Sequence, residues 1–239
     1  MFSKIMSPPS IDWPTKFSRK LEVVKDNALQ QYYRTGLPDS ATPIEEVVFL
    51  AMDFETTGLD SEQDDIITIG TVPFTLNRIF MNQAKHWTVK PRKQLPEESV
   101  VIHGITHSDV LDAPDLINSY EEILKEMSGK VMVVHYQRIE REFFDAALST
   151  RIQEGIEFPV VDTMQIETLV QRKVSGGVIN RIRGRKPASV RLGASRTRYG
   201  LPLYTPHHAL TDALATAELL QAQIAHHYDR TSPISQFWI

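Results

Sequence analysis

The chain has 239 residues, of which 41% are hydrophobic, so it is long enough to bury a full core in one domain. It contains no cysteine, which excludes disulfides and thiolate metal sites, and no apolar run is as long as a membrane span. The first residues lack the apolar segment of a secretory signal, so we expect a cytoplasmic protein with no membrane partner. The net charge of −4 does not by itself indicate a nucleic-acid partner.

Residues 1–44 are predicted to form an N-terminal appendage. Several early prolines interrupt its beginning, and the polar pattern of residues 15–34 predicts one helix that ends near Gly36. No residue pattern in this segment indicates catalysis. We therefore expect the appendage to pack on the main domain or on a partner.

The main domain, residues 45–228, opens with strands. Apolar runs predict strands over Val47–Met52 and Ile66–Val72, and a third strand within Ile79–Val89. Consecutive strands with few helices between them indicate an antiparallel beginning of the sheet.

Two acids follow the first strand at a spacing that matters for chemistry. Asp53 and Glu55 lie at or just past its end, and the two-residue period of a strand points both carboxylates to the same face. Carboxylates held that close repel each other unless a cation lies between them, and hard oxygen ligands suit Mg²⁺ or Mn²⁺. A solvated acidic turn is the alternative interpretation of this pair taken alone.

The second half of the domain alternates short apolar strands with amphipathic helices, which predicts an α/β fold with a mixed sheet and helices on its faces. The predicted strands are 130–135 and 160–161, and the predicted helices are 115–127, 139–149, 163–172, 189–199 and 208–227, with a flexible loop at 175–188 and a C-terminal tail at 229–239.

A basic loop at 172–198 lies in a stretch from Thr168 to Thr211 that contains no Asp or Glu. Such an asymmetric block can bind phosphates although the whole chain is acidic. A solvated loop without a ligand is the alternative, and the position of the block between two motifs of the candidate site favours phosphate contact. Its basic residues are Arg172, Lys173, Arg181, Arg183, Arg185, Lys186, Arg191, Arg196 and Arg198.

Four ordered segments of this chain resemble motifs of the DEDDh (DnaQ-like) 3′–5′ exonucleases. These segments are Asp53–Leu59, Val131–His135 with the helix that follows it, Val160–Thr163, and His207–Ala217. The family includes the proofreading subunit of bacterial DNA polymerase III and RNase T, and the resemblance covers about residues 45–225. It implies an RNase H-like mixed sheet flanked by helices.

The resemblance also implies the roles of individual residues. Asp53, Glu55, Glu140 and Asp212 correspond to the ligands of two divalent cations, Mg²⁺ or Mn²⁺, which activate water and stabilise the leaving oxygen. His207 lies five residues before Asp212, which is the spacing of the family's general base. Histidine suits proton transfer because its ordinary pKa lies near neutrality, so activity is expected to fall at acidic pH.

The chain departs from the family at the second acid. Glu140 stands where the family has Asp, and Tyr136 stands where it has Asn. Asp145 is five residues further on, which turns it about 140° away round the helix, so Glu140 is kept as the ligand. Asp162 is expected to cap a helix rather than to bind metal, and His208 is treated as a residue that flanks the base.

Further family segments imply contacts with the terminal nucleotide. In the family, the residues after the first acids and a His-Gly-Ile segment surround the terminal sugar and base, and a glycine permits close approach of the nucleotide backbone. The corresponding residues here are Thr56, Thr57, Gly58, Leu59, His103 and Ile105.

The preferred interpretation is a metal-dependent 3′–5′ exonuclease that releases nucleoside 5′-monophosphates from single-stranded DNA or RNA 3′ ends. A catalytically weakened module that binds nucleic acid or a partner, and a nuclease for very short oligonucleotides, are the alternatives. The choice between DNA and RNA stays open, as does a homodimer against a polymerase-type partner, for which residues 1–44 and the apolar, exposed-looking end of the tail are candidate docking elements.

Overall fold

The structure is a computed structural model that describes residues 11–93, 95–97, 100–101, 104–174 and 188–239. The predicted loop at 175–188 therefore lies outside the described residues except for Ala188, and so does the candidate residue His103. In the described part of the chain, no helix combines the length and the apolar character needed to cross a membrane.

One mixed sheet lies at the centre of the described residues. Its order is β3-β2-β1-β5-β6, and β4 also pairs with β2. β1 is antiparallel to β2 and parallel to β5, and β5 is parallel to β6, so the predicted antiparallel beginning of a mixed sheet is confirmed. The strands are β1 (Phe49–Thr56), β2 (Ile66–Thr75), β3 (Arg78–Ile79), β4 (Lys85–Thr88), β5 (Val131–Val134) and β6 (Val160–Asp162).

The first strand continues further than its apolar run indicates. β1 stays paired with β2 past Met52, because Asp53 lies opposite Gly70 and Glu55 opposite Thr68. The two acids are therefore still paired in the last residues of the strand, near the end where the sequence placed them, and not past it. Their shared face is consequently set by the pleat of a central strand.

Helices cover both faces of the sheet, as predicted. α8 packs across β1 and β2, while Phe144 of α5 contacts Phe54 of β1 at 6.1 Å between ring centroids. Phe54 lies between Asp53 and Glu55 in sequence, so its side chain points to the opposite face from the two acids. The described helices are α1 (Trp13–Val23), α2 (Asn27–Thr35), α3 (His107–Leu111), α4 (Tyr120–Met127), α5 (Arg138–Ile152), α6 (Thr163–Val174), α7 (Leu192–Arg198) and α8 (Ala209–His227).

The N-terminal segment forms two helices, so the prediction of one helix over residues 15–34 is wrong. Asp26 begins α2 by accepting hydrogen bonds from the backbone N–H groups of Ala28 and Leu29, both at 3.0 Å. Glu154 of the main domain accepts hydrogen bonds from the N–H groups of Lys25 and Asp26 and so fixes the break. Aromatic side chains of both helices are buried in the same core as the sheet, as for Phe17 and Tyr32.

The C-terminal tail continues the sheet edge beside β6. The N–H of Ile239 donates to the carbonyl of Val160 at 3.0 Å, and the N–H of Val160 donates to the main-chain oxygen of Ile239 at 3.4 Å. Phe237 and Trp238 are buried in the core, so the prediction of an exposed apolar end is wrong for these residues. The guanidinium of Arg141, on α5, donates to the main-chain oxygen of Ile239 and ties the tail to the domain.

Candidate active site

Four carboxylates converge at the carboxyl end of β1. Asp53 and Glu55 lie on the strand, Glu140 in the first turn of α5, and Asp212 in the first turn of α8. We call these residues the acid cluster. Burial, followed by the charges of Glu140, Asp212 and Glu55, raises the pKa of Asp53 well above its ordinary value. Burial and the charge of Asp212 raise the pKa of Glu55 to about 7. The cluster is thus a site of uncompensated negative charge.

Glu140 carries the most deeply buried carboxylate of the acid cluster. Its side chain is 1% exposed, and burial raises its pKa well above the ordinary value, with a further contribution from the charge of Asp162. Its Oε2 atom has no hydrogen-bond partner among the described residues. A buried carboxylate oxygen without a donor is unfavourable, so this oxygen indicates that a cation binds beside it.

The chemistry of the acid cluster fits divalent cations. All four side chains offer hard oxygen atoms, and their mutual repulsion disappears when cations bind between them. The imidazole of His207 also lies close, because one ligand atom each from Glu55, His207 and Asp212 lie within 4.8 Å of one another. The arrangement can hold a cation and also has a group that can accept a proton.

Gly70 allows the last acid to reach the cluster. This residue lies on β2, opposite Asp53, and a Cβ atom built on it would be 2.3 Å from the backbone of Ala209 and of Leu210. Only glycine lets the first turn of α8 lie directly on the sheet, and that turn carries Asp212. Sequence motifs alone did not identify Gly70 as part of the site, although a glycine inside a predicted strand signals close approach of another backbone.

Asp162 organises the beginning of two helices. Its carboxylate accepts hydrogen bonds from the N–H of Met164 at 2.9 Å at the beginning of α6, which confirms the predicted cap. It also accepts from the N–H groups of Tyr136 at 3.2 Å and Gln137 at 3.0 Å, just before α5. Tyr136 has φ +88°, a left-handed conformation that tyrosine rarely adopts. Asp162 thereby fixes the turn that brings Glu140 to the sheet.

The two adjacent histidines have different surroundings. His207 is exposed and has φ +67°, and its backbone N–H donates to Oδ2 of Asp212 at 2.7 Å. The ring of His208 stacks on His86 of β4, with 5.0 Å between centroids and 14° between planes. Nδ1 of His208 accepts a hydrogen bond from the N–H of Thr211 at 3.4 Å, so this residue caps α8. The structure therefore groups the imidazole of His207 with Glu55 and Asp212, while the ring of His208 stacks on His86.

The loop after β1 is stabilised by its own hydrogen bonds. The hydroxyl of Thr57 donates to Asp64 at 3.1 Å and accepts from the N–H of Asp65 at 2.9 Å, while the hydroxyl of Thr56 donates to the carbonyl of Gly58 at 2.6 Å. A Cβ on Gly58 would lie 2.3 Å from the carboxylate of Asp64. A side chain at this position would displace the Asp64 carboxylate that holds the loop, and the predicted approach of a nucleotide backbone stays a separate prediction.

Two other predicted contact residues differ in their exposure. Leu59 is 78% exposed at the tip of the same loop. Ile105 is partly buried against a small apolar cluster that contains Ile67 and Val110. The side chain of Leu59 is thus exposed and that of Ile105 is partly buried, while His103 lies outside the described residues.

A cleft of about 590 Å³ opens from the acid cluster. Asp53, Glu55 and Asp212 line one part of it, together with His207. The remaining wall comes from the segments around α7, and its lining residues include Ser189, Arg191, Leu192, Gly193, Pro202, Leu203 and Tyr204. The size lies within the range of small-ligand sites.

His135 holds the segment before α7, which forms the cleft wall that faces the acids. Local sequence patterns did not indicate this role. Burial lowers its pKa to about 4, so the imidazole is neutral near pH 7. The carbonyl of Val190 lies 3.0 Å from Nε2, which must therefore carry the proton and donate, and the hydroxyl of Thr163 lies 2.8 Å from Nδ1. The segment before α7 is thus anchored to the end of β5.

The described arginines of the predicted basic block differ in whether their side chains bind acceptors within the protein. Arg196 is 2% exposed and donates to the carbonyl of Ala215 at 2.6 Å and to Glu218 at 2.7 Å. Arg198 donates to Glu167 at 2.8 Å. Internal acceptors hold these two side chains, so the phosphate contact expected of the block stays a prediction for them. Arg191 and Arg196 both line the cleft, but only Arg191 is exposed there and has no internal acceptor for its guanidinium among the described residues.

A mixed sheet whose central strand carries two acids, with further acids on two flanking helices, agrees with the expected resemblance to the DEDDh exonucleases. Residues 50–220 match the exonuclease family RNase_T, which covers more than half of the chain. The chain belongs to this exonuclease family. The prediction of an enzyme that hydrolyses nucleic acids is confirmed.

Individual relatives agree with this assignment. The chain is 30% identical over 183 residues to DNA polymerase III subunit epsilon of Treponema pallidum, which covers 77% of this chain and 79% of that protein. It is 29% identical over 178 residues to a DNA polymerase III subunit epsilon-like protein of Rhodobacter capsulatus, and there the match spans 74% of this chain but only 24% of the longer relative.

A solved structure shows the same fold. The nuclease domain of 3′hExo, a DEDDh family member bound to rAMP, superposes with a TM-score of 0.59 at 16% identity and covers 79% of this chain and 95% of that one. The predicted RNase H-like mixed sheet flanked by helices is confirmed.

Proposed function

We propose that this protein is a metal-dependent 3′–5′ exonuclease that hydrolyses phosphodiester bonds at nucleic-acid 3′ ends and releases nucleoside 5′-monophosphates. The observation that carries the proposal is the acid cluster, with an unpartnered buried oxygen on Glu140 and the imidazole of His207 beside Glu55 and Asp212. The relative bound to rAMP supports a nucleoside 5′-monophosphate as product.

The acid cluster would hold two divalent cations, Mg²⁺ or Mn²⁺. Cations bound there supply Lewis-acid stabilisation of the phosphate charge and lower the pKa of water. The side chains of Asp53, Glu55, Glu140 and Asp212 contribute negative charge and rigid placement, because each stands on a strand or in the first turn of a helix. This rigidity keeps the reacting groups in a productive geometry.

His207 is the proposed general base. Its neutral imidazole accepts the proton from the attacking water, and its exposure at the cleft lets that proton pass to solvent. The hydrogen bond from its backbone N–H to Asp212 fixes the residue in its left-handed conformation. One carboxylate therefore serves the cluster and also holds the base in place.

Single-stranded 3′ ends are the proposed substrates. The acids lie inside a cleft, so the terminal nucleotide must leave a duplex stack to reach them. The loop residues Thr56, Thr57, Gly58 and Leu59, together with His103 and Ile105, are proposed to surround the terminal nucleotide. The relation to the epsilon subunit of Treponema pallidum supports DNA as substrate and a polymerase-type partner, and we propose a cytoplasmic location.

A nucleic-acid-binding module with weakened catalysis is the second candidate. Glu140 favours this candidate, because its side chain is one methylene longer than the family's Asp and would hold a bound cation at a shifted position. The retention of Asp53, Glu55, His207 and Asp212 argues against it, since binding alone needs no such group of acids.

The test is a time course on matched 3′-labelled and 5′-labelled single strands of DNA and RNA. It is run with Mg²⁺, with Mn²⁺ and with chelator, and Asp53→Asn is the control for a contaminating nuclease. Stepwise metal-dependent shortening from the 3′ end, absent in Asp53→Asn, is the expected result. Strands that stay intact but bind the protein would instead support the binding module.

A further inference from the structure

Arg191 is a cation of the cleft wall without an internal acceptor. Its side chain is exposed and lines the cleft that also contains Asp53, Glu55 and Asp212. Within the part of the chain that the structure describes, its guanidinium makes no ion pair and no hydrogen bond, whereas Arg196 and Arg198 are held by internal acceptors. Its charge is therefore available to a ligand.

The backbone at Arg191 is held rigidly in place. The carbonyl of Val190 accepts hydrogen bonds from Nε2 of His135 at 3.0 Å and from the hydroxyl of Ser195 at 3.1 Å. The carbonyl of Arg191 accepts from the N–H of Ser195 at 2.9 Å. A cation on a fixed backbone loses less conformational entropy when it binds a ligand than one on a mobile loop.

The position of Arg191 indicates which phosphate it meets. Arg191 shares the cleft with three carboxylates of the acid cluster but, among the described residues, forms an ion pair with none of them, so its charge is not used at the acids that would hold cations on the scissile phosphate. The planar guanidinium binds phosphate oxygens in a bidentate manner. Successive phosphates of a strand are separated by one nucleotide, so the neighbouring phosphate is the natural ligand.

We propose that Arg191 binds the phosphate immediately upstream of the scissile one. Arg191 is then a specificity-determining residue that makes the enzyme prefer 3′ ends with at least two phosphodiester linkages over those with only one. This inference rests on the proposed exonuclease function and defines its substrate class more closely.

The test compares substrates that differ in one phosphate. Thymidine dinucleotide carries only the scissile phosphate, thymidine trinucleotide adds the upstream one, and a trinucleotide with a methylphosphonate there is uncharged at that linkage. Arg191→Ala is expected to lower kcat/KM for the trinucleotide about 10- to 100-fold, which is the effect of a lost charged hydrogen bond, mainly through KM. Hydrolysis of the dinucleotide and of the methylphosphonate is expected to match that of the unmodified protein.

Arg19→Ala is the matched control, because it removes an exposed arginine of α1 that is remote from the cleft. Trinucleotide hydrolysis by Arg191→Ala at the unmodified rate would overturn the inference. An equal loss on the dinucleotide would also overturn it, since Arg191 would then act at the scissile phosphate. Affinity for a fluorescent trinucleotide and for its methylphosphonate is measured in parallel. If the unmodified protein hydrolyses neither substrate, the exonuclease proposal fails, and these affinities still decide whether Arg191 recognises the upstream phosphate.

Discussion

Glu140 has a buried carboxylate whose Oε2 atom has no hydrogen-bond partner among the described residues. Glu140→Gln keeps the size and removes the charge, so we expect the metal-free protein to unfold at a higher temperature, because burial and the charge of Asp162 disfavour the carboxylate. The same change is expected to lower kcat/KM at least about 10²-fold, since even outer partners of metal ligands are worth 10- to 100-fold.

Glu140→Asp is the matched variant, because it keeps the charge and restores the family's residue. We expect it to preserve or raise activity. Thermal unfolding in chelator and kcat/KM with Mg²⁺ are measured for both variants. If Glu140→Asp abolishes metal-dependent cleavage, the longer side chain is a specific requirement and this account of the site is wrong.

His207 lies close enough to two acids either to accept a proton or to bind a cation. As the general base, His207→Ala is expected to lower kcat about 10²- to 10⁴-fold while the rise in Tm on adding Mn²⁺ is unchanged. His208→Asn is the control, because asparagine retains a cap for α8 and the ring of His208 stacks on His86 instead of facing the acids. A smaller Mn²⁺-induced rise in Tm for His207→Ala would identify a metal ligand instead of a base.

Gly70 lies on β2 opposite Asp53 and against the first turn of α8, which carries Asp212. In Gly70→Ala the new Cβ would meet the backbone of Ala209 and Leu210, and backbone has no rotamer with which to avoid it. We expect a loss of about 1–3 kcal/mol in the free energy of unfolding, as for other overpacked sites. We also expect a loss of activity at temperatures where the variant is folded, because Asp212 moves with the helix.

Gly193→Ala is the control for Gly70→Ala, since a Cβ on this residue of α7 meets no atom within 4 Å. Alanine is the better helix former, so this variant is expected to be as stable as the unmodified protein or slightly more so. Unfolding in urea is measured for both variants, and hydrolysis at 15 °C is measured for Gly70→Ala against the unmodified protein. Normal activity in folded Gly70→Ala would show that α8 can shift without disturbing the acids.

Some elements with a strong apolar pattern were predicted close to their true bounds, whereas those whose bounds depend on pairing or on distant contacts were not. The buried strand β2 begins at Ile66 as predicted. The break between α1 and α2 was missed because it depends on Glu154, which is more than a hundred residues away in sequence. At the site, local spacing revealed the acids, whereas the roles of Gly70 and His135 depend on partners that no local pattern specifies.

The stability of the whole molecule is coupled to the protonation of its acid cluster. Burial and the charge of Asp212 raise the pKa of Glu55 to about 7 in the folded protein, against an ordinary value of 4.5. The folded state therefore holds this proton more tightly than the unfolded state. The resulting stabilisation is complete below pH 4.5 and is lost as the pH rises through 7, an effect of about 3 kcal/mol. The pKa values of Asp53, Glu140 and Asp212 are raised in the same direction.

Divalent cations should replace these protons, so the metal and pH effects are expected to be linked. The Mn²⁺-induced rise in Tm should be larger at pH 8 than at pH 6, where the cation must first displace the proton of Glu55. His135 affects stability in the opposite direction, because burial lowers its pKa to about 4 in the folded protein. Its contribution to stability is lost only as the pH falls below the ordinary value of about 6.5, so it changes little between pH 6 and pH 8. In Glu55→Gln the side chain no longer titrates, so the difference between the two pH values should shrink. A rise in Tm that is the same at pH 6 and pH 8 in the unmodified protein would mean that metal binding does not displace the proton of Glu55.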